Sequence, residues 1–151
     1  MIDLSTIEAR KALAGKYAAK YSLDVTLLCA WVDHESSWNP WAIRYEPAFY
    51  DRYILPLMTN GTIKTATEAQ ARSISWGLAQ IMGEVAREFG FKGQFLSELS
   101  DPDTGLDFAC KKLQRCFTMA GQDVDKALLC YNGGGDPSYP GAVRALLEKY
   151  T

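Results

Sequence analysis

The chain has 151 residues, 48% of them hydrophobic and 23% charged, with a formal net charge of −2. That length suits one compact domain burying roughly 68–70% of its unfolded surface, which needs neither metal nor disulfide as a staple. The mild acidity excludes a nucleic-acid binder that works by counterion release, and no run approaches the ~18 apolar residues of a membrane span.

The N-terminal stretch "MIDLSTIEARKALAGKYAAKY" has no apolar signal region and reads as an amphipathic helix, so either synthesis in the cytoplasm without a signal or a signal already removed is expected, and the former is preferred. Ser5-Thr6-Ile7-Glu8 has the form of a capping box, opening a helix to about Tyr21. Asp24 can cap a second helix, from Val25 to about Ser36. Residues 40–75 are rich in Pro, Tyr and turn signals. They read as a long, mostly irregular excursion with short helices and a small β-ribbon near "IRYE" and "SISW". Loops this long inside a compact domain are often functional. "GLAQIMGEVAREFG" reads as a helix ended by Gly90. Asp101-Pro102 opens a long helix whose apolar stripe is Leu106, Ala109, Cys110, Leu113, Phe117 and Ala120. Val124 to Tyr131 is another, ended by Asn132 and three glycines suited to a left-handed cap. Val143, Leu146, Leu147 and Tyr150 mark the last helix. The class is mainly α, one domain over 1–151, with an aromatic-rich insertion at about 42–75.

The four cysteines, Cys29, Cys110, Cys116 and Cys130, include no Cys-x-x-Cys pair, so no zinc site is expected. Cys29, Cys110 and Cys130 fall on apolar stripes, and Cys110 and Cys116 project from different helical faces. Free thiols are the expected state.

Residues 33–41, "DHESSWNPW", put a glutamate at the end of an apolar helix. At 100° per residue Val25, Leu28, Cys29 and Val32 share a face. Glu35 falls at its edge, near Leu28 and Trp31, while Asp33 and His34 are expected to project away. Desolvation and the negative end of the helix dipole both raise a carboxyl pKa there, as a general acid requires. The competing reading is a surface glutamate on a fraying helix end. Other chemistries lack their residues. The position four after His34 is Trp38, so there is no zinc-protease pair. His34 is the single histidine, and no nucleophile elbow, P-loop or dinucleotide fingerprint exists.

Three motifs occur in order: "ESSWNPWAI", "GLAQIM" and "ALLCYNGG". Together they resemble the lytic transglycosylases and goose-type lysozymes of glycoside hydrolase family 23, over about Leu23 to Tyr150. "DPDTGLDFACKKL" also resembles the helix which that family places between its second and third motifs. The resemblance implies a lysozyme-like fold, with Glu35 as the acid/base. It aligns Gly77, Leu78, Gln80 and Ile81 with the second motif, where Ala79 replaces the usual methionine. Gln80 is then a polar contact to substrate and Met82 a cleft residue. Tyr131 and Asn132 match the third motif, with the tyrosine near the acid or the sugar; its alternative is a core aromatic. The family commonly has a serine soon after Asn-Pro. Here more than thirty residues intervene before the second motif, and Ser75 is the preferred substitute. This insertion, with Glu46 and its aromatics, is similar to the muramidase domains of phage endolysins. Tyr45, Phe49 and Tyr50 either stack on sugar faces or cover a satellite core.

The implied substrate is peptidoglycan, cut at the β-1,4 bond between N-acetylmuramic acid and N-acetylglucosamine, without cofactor or metal. Glu35 would protonate the glycosidic oxygen. As an anion it would then deprotonate the muramic 6-hydroxyl, giving a 1,6-anhydro sugar, or a water, giving hydrolysis. A hydrolase would more readily use a partner carboxylate ~5–9.5 Å away, for which Glu46 and Asp51 are candidates. The expected protein is a monomer that does not insert in membranes. It would reach the wall after phage-mediated release or from a virion. The rivals are a chitinase-like hydrolase on the same fold and a catalytically silent glycan-binding virion module.

Overall fold

The structure, a computed structural model, describes residues 2–151. It is mainly helical with a small antiparallel sheet. In chain order come α1 (Ile7–Tyr21), α2 (Val25–Ser36), β1 (Ile43–Tyr45), α3 (Pro47–Phe49), a π-helical turn at Tyr50–Ile54, α4 (Leu55–Thr59) and α5 (Ala66–Arg72). β2 (Ile74–Trp76), β3 (Ile81–Met82), α6 (Gly83–Glu88) and a 3-10 turn at Leu96–Ser100 follow. The chain ends with α7 (Pro102–Met119), α8 (Val124–Asn132), α9 (Tyr139–Arg144) and a 3-10 turn at Leu147–Tyr150. The contacts divide this chain into two compact units. One takes the chain up to Trp38 together with Ala109–Thr151, and the other is Asn39–Phe108.

The first unit is built around α2. Every residue from Leu27 to Asp33 is buried, so this helix is enclosed on all sides and not on a single stripe. α1, α9 and the C-terminal 3-10 turn pack on it, and α8 packs on α9. Asp24 caps α2 as expected, its carboxylate accepting from the Leu27 N–H at 2.7 Å. At α1 the cap is Thr6 and not Ser5, with Thr6 Oγ1 accepting from the Ala9 N–H at 3.1 Å. The Ser5–Glu8 box therefore does not form, and Thr6 caps the helix alone. On α7 the stripe Leu106, Ala109, Cys110, Leu113 and Phe117 is buried as read, while Ala120 lies beyond the helix. α8 stops where expected, because Gly133 is left-handed at φ 87°. The last helix of the sequence reading is two shorter pieces, α9 and the 3-10 turn.

The expectation of four free thiols is corrected by Cys116 and Cys130. They form a disulfide between the end of α7 and α8, with Cα atoms 5.6 Å apart. Spacing along the chain did not reveal it, because the tight turn after α7 folds α8 back. Cys29 and Cys110 remain buried thiols, and burial pushes Cys29 up to about 11.

In the second unit the sheet order is β1-β2-β3, antiparallel, with Ile43 opposite Trp76 and Ser75 opposite Met82. The ribbon at "IRYE" and "SISW" is thus present. The excursion between is not mostly irregular: it is three short helices and a π-helical turn. They close over a small core of Ile54, Ile63 and Ala69, with Phe49, Tyr50, Leu57 and Met58 packed against it. Glu68 holds this part to α6. Its carboxylate accepts from Arg72 Nε at 2.9 Å and Arg87 Nε at 2.8 Å, and Arg72 also reaches Glu84 at 3.1 Å.

"GLAQIM" is not the start of a helix. Its first four residues are a turn after β2 and Ile81–Met82 are β3, with helix beginning only at Gly83. Gly77 has φ 69°, and a Cβ there would fall 2.5 Å from the Leu99 carbonyl oxygen. Gln80 is also left-handed, at φ 50°. Two such residues cannot lie in a right-handed helix.

Candidate functional site

Glu35 occupies the last turn of α2, half-buried, where the enclosed helix emerges. Its Oε1 accepts a hydrogen bond from the Tyr139 hydroxyl. The same hydroxyl accepts from Trp31 Nε1 at 3.0 Å, and Trp31 has no exposed surface. Trp31 sits one helical turn before Glu35, so α2 supplies both ends of this three-group chain and α9 supplies its centre. Burial, reinforced by the Glu35 charge, pushes the Tyr139 hydroxyl far above the ordinary phenol range. Tyr139 is therefore a permanent proton donor toward the carboxylate.

Tyr131 stands against the same group. Its ring meets Trp31 edge to face, with centroids 4.7 Å apart. Burial and then the charge of Glu35 push its hydroxyl well above the usual range. Lys112 also holds the end of α8, donating to the Tyr131 carbonyl at 2.8 Å and lying 4.3 Å from its ring centroid. Asn132, the next residue of the third motif, is exposed at the end of α8. His34 is exposed, as expected, and its ring meets Tyr139 at 5.0 Å.

Tyr139 was not among the expected site residues. It follows "GGGDPS" and precedes a proline, a stretch whose composition reads as loop, so no periodicity pointed to it. Asp33 was read as projecting away and does not. It is 8% exposed, because Lys149 and Tyr150 cover its carboxylate. Its Oδ2 accepts from Lys149 Nζ at 2.6 Å and from the Tyr150 hydroxyl at 3.0 Å. Ser37 and Trp38, just after Glu35, are both left-handed, at φ 53° and 63°. Such a conformation costs a residue other than glycine about 1–2 kcal/mol.

The remaining expected residues lie in the second unit. Ser75 is buried on β2, and its hydroxyl donates to Met82 Sδ at 3.1 Å. Gln80 Nε2 donates to the carbonyls of Ala42 at 3.0 Å and Gly77 at 2.9 Å, so its amide nitrogen closes the turn of the second motif. Tyr45 is exposed on the edge strand β1, its ring 6.4 Å from that of Tyr50. Glu46 pairs with Arg44 Nε at 2.8 Å, while its backbone N–H donates to the Ser73 carbonyl. Asp51 is exposed on the π-helical turn. Among the described residues no cluster of His, Cys, Asp and Glu could hold a metal ion.

No curated protein and no solved structure matches the chain. A family model does: the transglycosylase SLT domain matches residues 12–139, a span that takes in Glu35, the "GLAQIM" turn, Tyr131 and Tyr139. With its mainly helical, lysozyme-like fold, the chain belongs to the transglycosylase SLT domain family, the lytic transglycosylases that cleave glycosidic bonds in peptidoglycan.

Proposed function

We propose that residues 1–151 act as one catalytic domain in which Glu35 is the general acid and then the general base. The observation that carries this reading is the Trp31–Tyr139–Glu35 chain at the mouth of a buried helix. Tyr139 donates to one carboxyl oxygen of Glu35, and the carboxyl proton of Glu35 is the one delivered to the glycosidic oxygen. In the proposed reaction Glu35 protonates the leaving oxygen as its bond to C1 breaks, the substrate's 2-acetamido group supports the developing oxocarbenium, and the Glu35 anion takes the proton of the muramic 6-hydroxyl as that oxygen bonds to C1. Tyr131, whose ring meets Trp31, and Asn132, exposed at the end of α8, are proposed as sugar contacts. From the match to the second motif, Ser75 on β2, Gln80 in the turn after it and Met82 on β3 are also proposed as sugar contacts.

Mass spectrometry of fragments from purified peptidoglycan tests the reading. Anhydro-muramyl ends are expected. Reducing ends alone would replace the transglycosylase route with hydrolysis, and products from chitin but not peptidoglycan would replace the substrate. No products at all would leave a glycan-binding module.

Glu46 enters the same assay. Its ion pair with Arg44 favours a role at the rim, so Glu46→Gln should leave rate and products unchanged. Selective loss of reducing ends in that variant would instead make it the base of an inverting hydrolysis.

Tyr45 is proposed as a stacking platform. Phe49 and Tyr50 belong to the small core, but Tyr45 is 44% exposed and shares the outer face of β1 with Ile43, 58% exposed. Trp41, just before the strand, is 64% exposed. Trp41→Ala and Tyr45→Ala are expected to raise KM several-fold, since aromatic faces bind the apolar side of a sugar. Unchanged KM with a lowered melting temperature would return both to a structural role.

The likeness of the insertion to endolysin muramidase domains supports a phage lysin. Cytoplasmic expression should then be harmless until the inner membrane is permeabilised, and lysis without permeabilisation would remove that assignment.

A further inference from the structure

The segment bearing Glu35 is closed into a ring that uses no substrate-facing group. Asp33 begins it. Its backbone carbonyl accepts from the Ser37 N–H at 2.8 Å, which caps α2. Its carboxylate accepts from the Tyr150 hydroxyl at 3.0 Å. That hydroxyl accepts in turn from Trp38 Nε1 at 2.9 Å, and Trp38 is covalently next to Ser37. The circuit runs Asp33, Ser37, Trp38, Tyr150 and back to Asp33, with Glu35 inside the arc. Tyr150 has no exposed surface and Trp38 only 3%. Arg10 lies over the Trp38 ring at 5.8 Å, and Lys149 holds the Asp33 oxygen at 2.6 Å.

This arc contains the two left-handed residues Ser37 and Trp38. A helix end free to choose would relax them, and the ring opposes that relaxation. It fixes both ends of a segment spanning Asp33 to Trp38. It thereby fixes where α2 stops and which way Glu35 faces Tyr139.

We propose that Asp33, Trp38 and Tyr150 are positioning residues for Glu35: their closed hydrogen-bond ring holds the strained end of α2 so that the Glu35 carboxyl stays registered on the Tyr139 hydroxyl. This rests on Glu35 being the acid. None of the three touches substrate in this assignment. Their loss should therefore slow the chemical step without weakening glycan binding.

The test is kinetic, on folded variants of the full chain. Tyr150→Phe keeps the ring's packing and removes the hydroxyl that joins Trp38 to Asp33. Its kcat should fall about 10- to 100-fold, the scale of a misplacement near 1 Å, with KM within about twofold. Asp33→Asn, which keeps an acceptor for Tyr150, should lose less than Tyr150→Phe and serves where the latter folds poorly. A double-mutant cycle separates positioning from mere scaffolding. In a Glu35→Gln background, Tyr150→Phe should add almost no further loss, because the group it positions is gone. The same factor lost in both backgrounds, or a loss carried by KM, would overturn the proposal. Full activity of Tyr150→Phe beside an inactive Glu35→Gln would sink the positioning claim alone. An active Glu35→Gln would remove the acid assignment and this proposal with it.

Discussion

Glu35→Gln is expected to give a folded protein whose peptidoglycan cleavage falls at least about 100-fold, the contribution of a positioned general acid. The substitution is nearly isosteric. A glutamine oxygen still accepts from the Tyr139 hydroxyl, so the Trp31–Tyr139 link survives. What disappears is the exchangeable carboxyl proton. Stability should hold or rise slightly, because the change removes a negative charge from the negative end of α2 in a half-buried setting. Loss of activity with an unchanged or raised melting temperature separates catalysis from folding. A folded Glu35→Gln protein that cleaves at near wild-type rate would end the assignment.

Much of the helical frame was legible because helix ends carry local chemistry. Asp24, Pro102 and Gly133 each mark a boundary by a side-chain cap, a fixed φ or a permitted left-handed conformation. The reading failed where conformation was set at a distance. "GLAQIMGEVAREFG" has a good helical pattern, yet its first four residues turn, because β2 must pass close to the Leu99 carbonyl and only Gly77 fits there. Gln80 then takes φ 50° and spends its amide on two carbonyls, which no propensity announces. The excursion at 40–75 contains Pro, Tyr and turn dipeptides, and still folds into short helices around Ile54, Ile63 and Ala69.

The site divides in the same way. Glu35 and Tyr131 were visible through motif order, and Glu35 also through its place at an apolar helix end. Tyr139 was invisible: it is 104 residues from Glu35 in sequence and its neighbours look like loop. Asp33 was misplaced for a general reason. A helical wheel assumes one buried face, but α2 is surrounded, so a charge on its far side meets Lys149 and Tyr150 instead of water. A charge among the buried residues of a helix this apolar is itself a signal. It implies a fixed partner elsewhere in the chain, though not which one.

The disulfide gives the second large expected effect. Cys116→Ser with Cys130→Ser, or reduction of the wild-type protein, should lower stability by about 2–4 kcal/mol. That is the entropy of closing a loop of about 15 residues in the unfolded chain. In a domain of this size each kcal/mol moves the melting temperature by roughly 2–4 °C, so a drop of about 4–16 °C is expected. The lower part of that range is favoured. The turn between α7 and α8 is already constrained, with Gly121 and Gln122 left-handed at φ 60° and 68° and the Gln122 N–H bonded to the Phe117 carbonyl at 2.9 Å. Cys130 directly precedes Tyr131, whose ring is held by Trp31 and whose carbonyl by Lys112. Those contacts do not pass through sulfur, so cleavage at 25 °C should be nearly preserved while thermal inactivation quickens. Melting with and without reductant, beside a thiol count by mass spectrometry, decides it. Four free thiols in the untreated protein, and no change of melting on reduction, would return Cys116 and Cys130 to the state of Cys29 and Cys110.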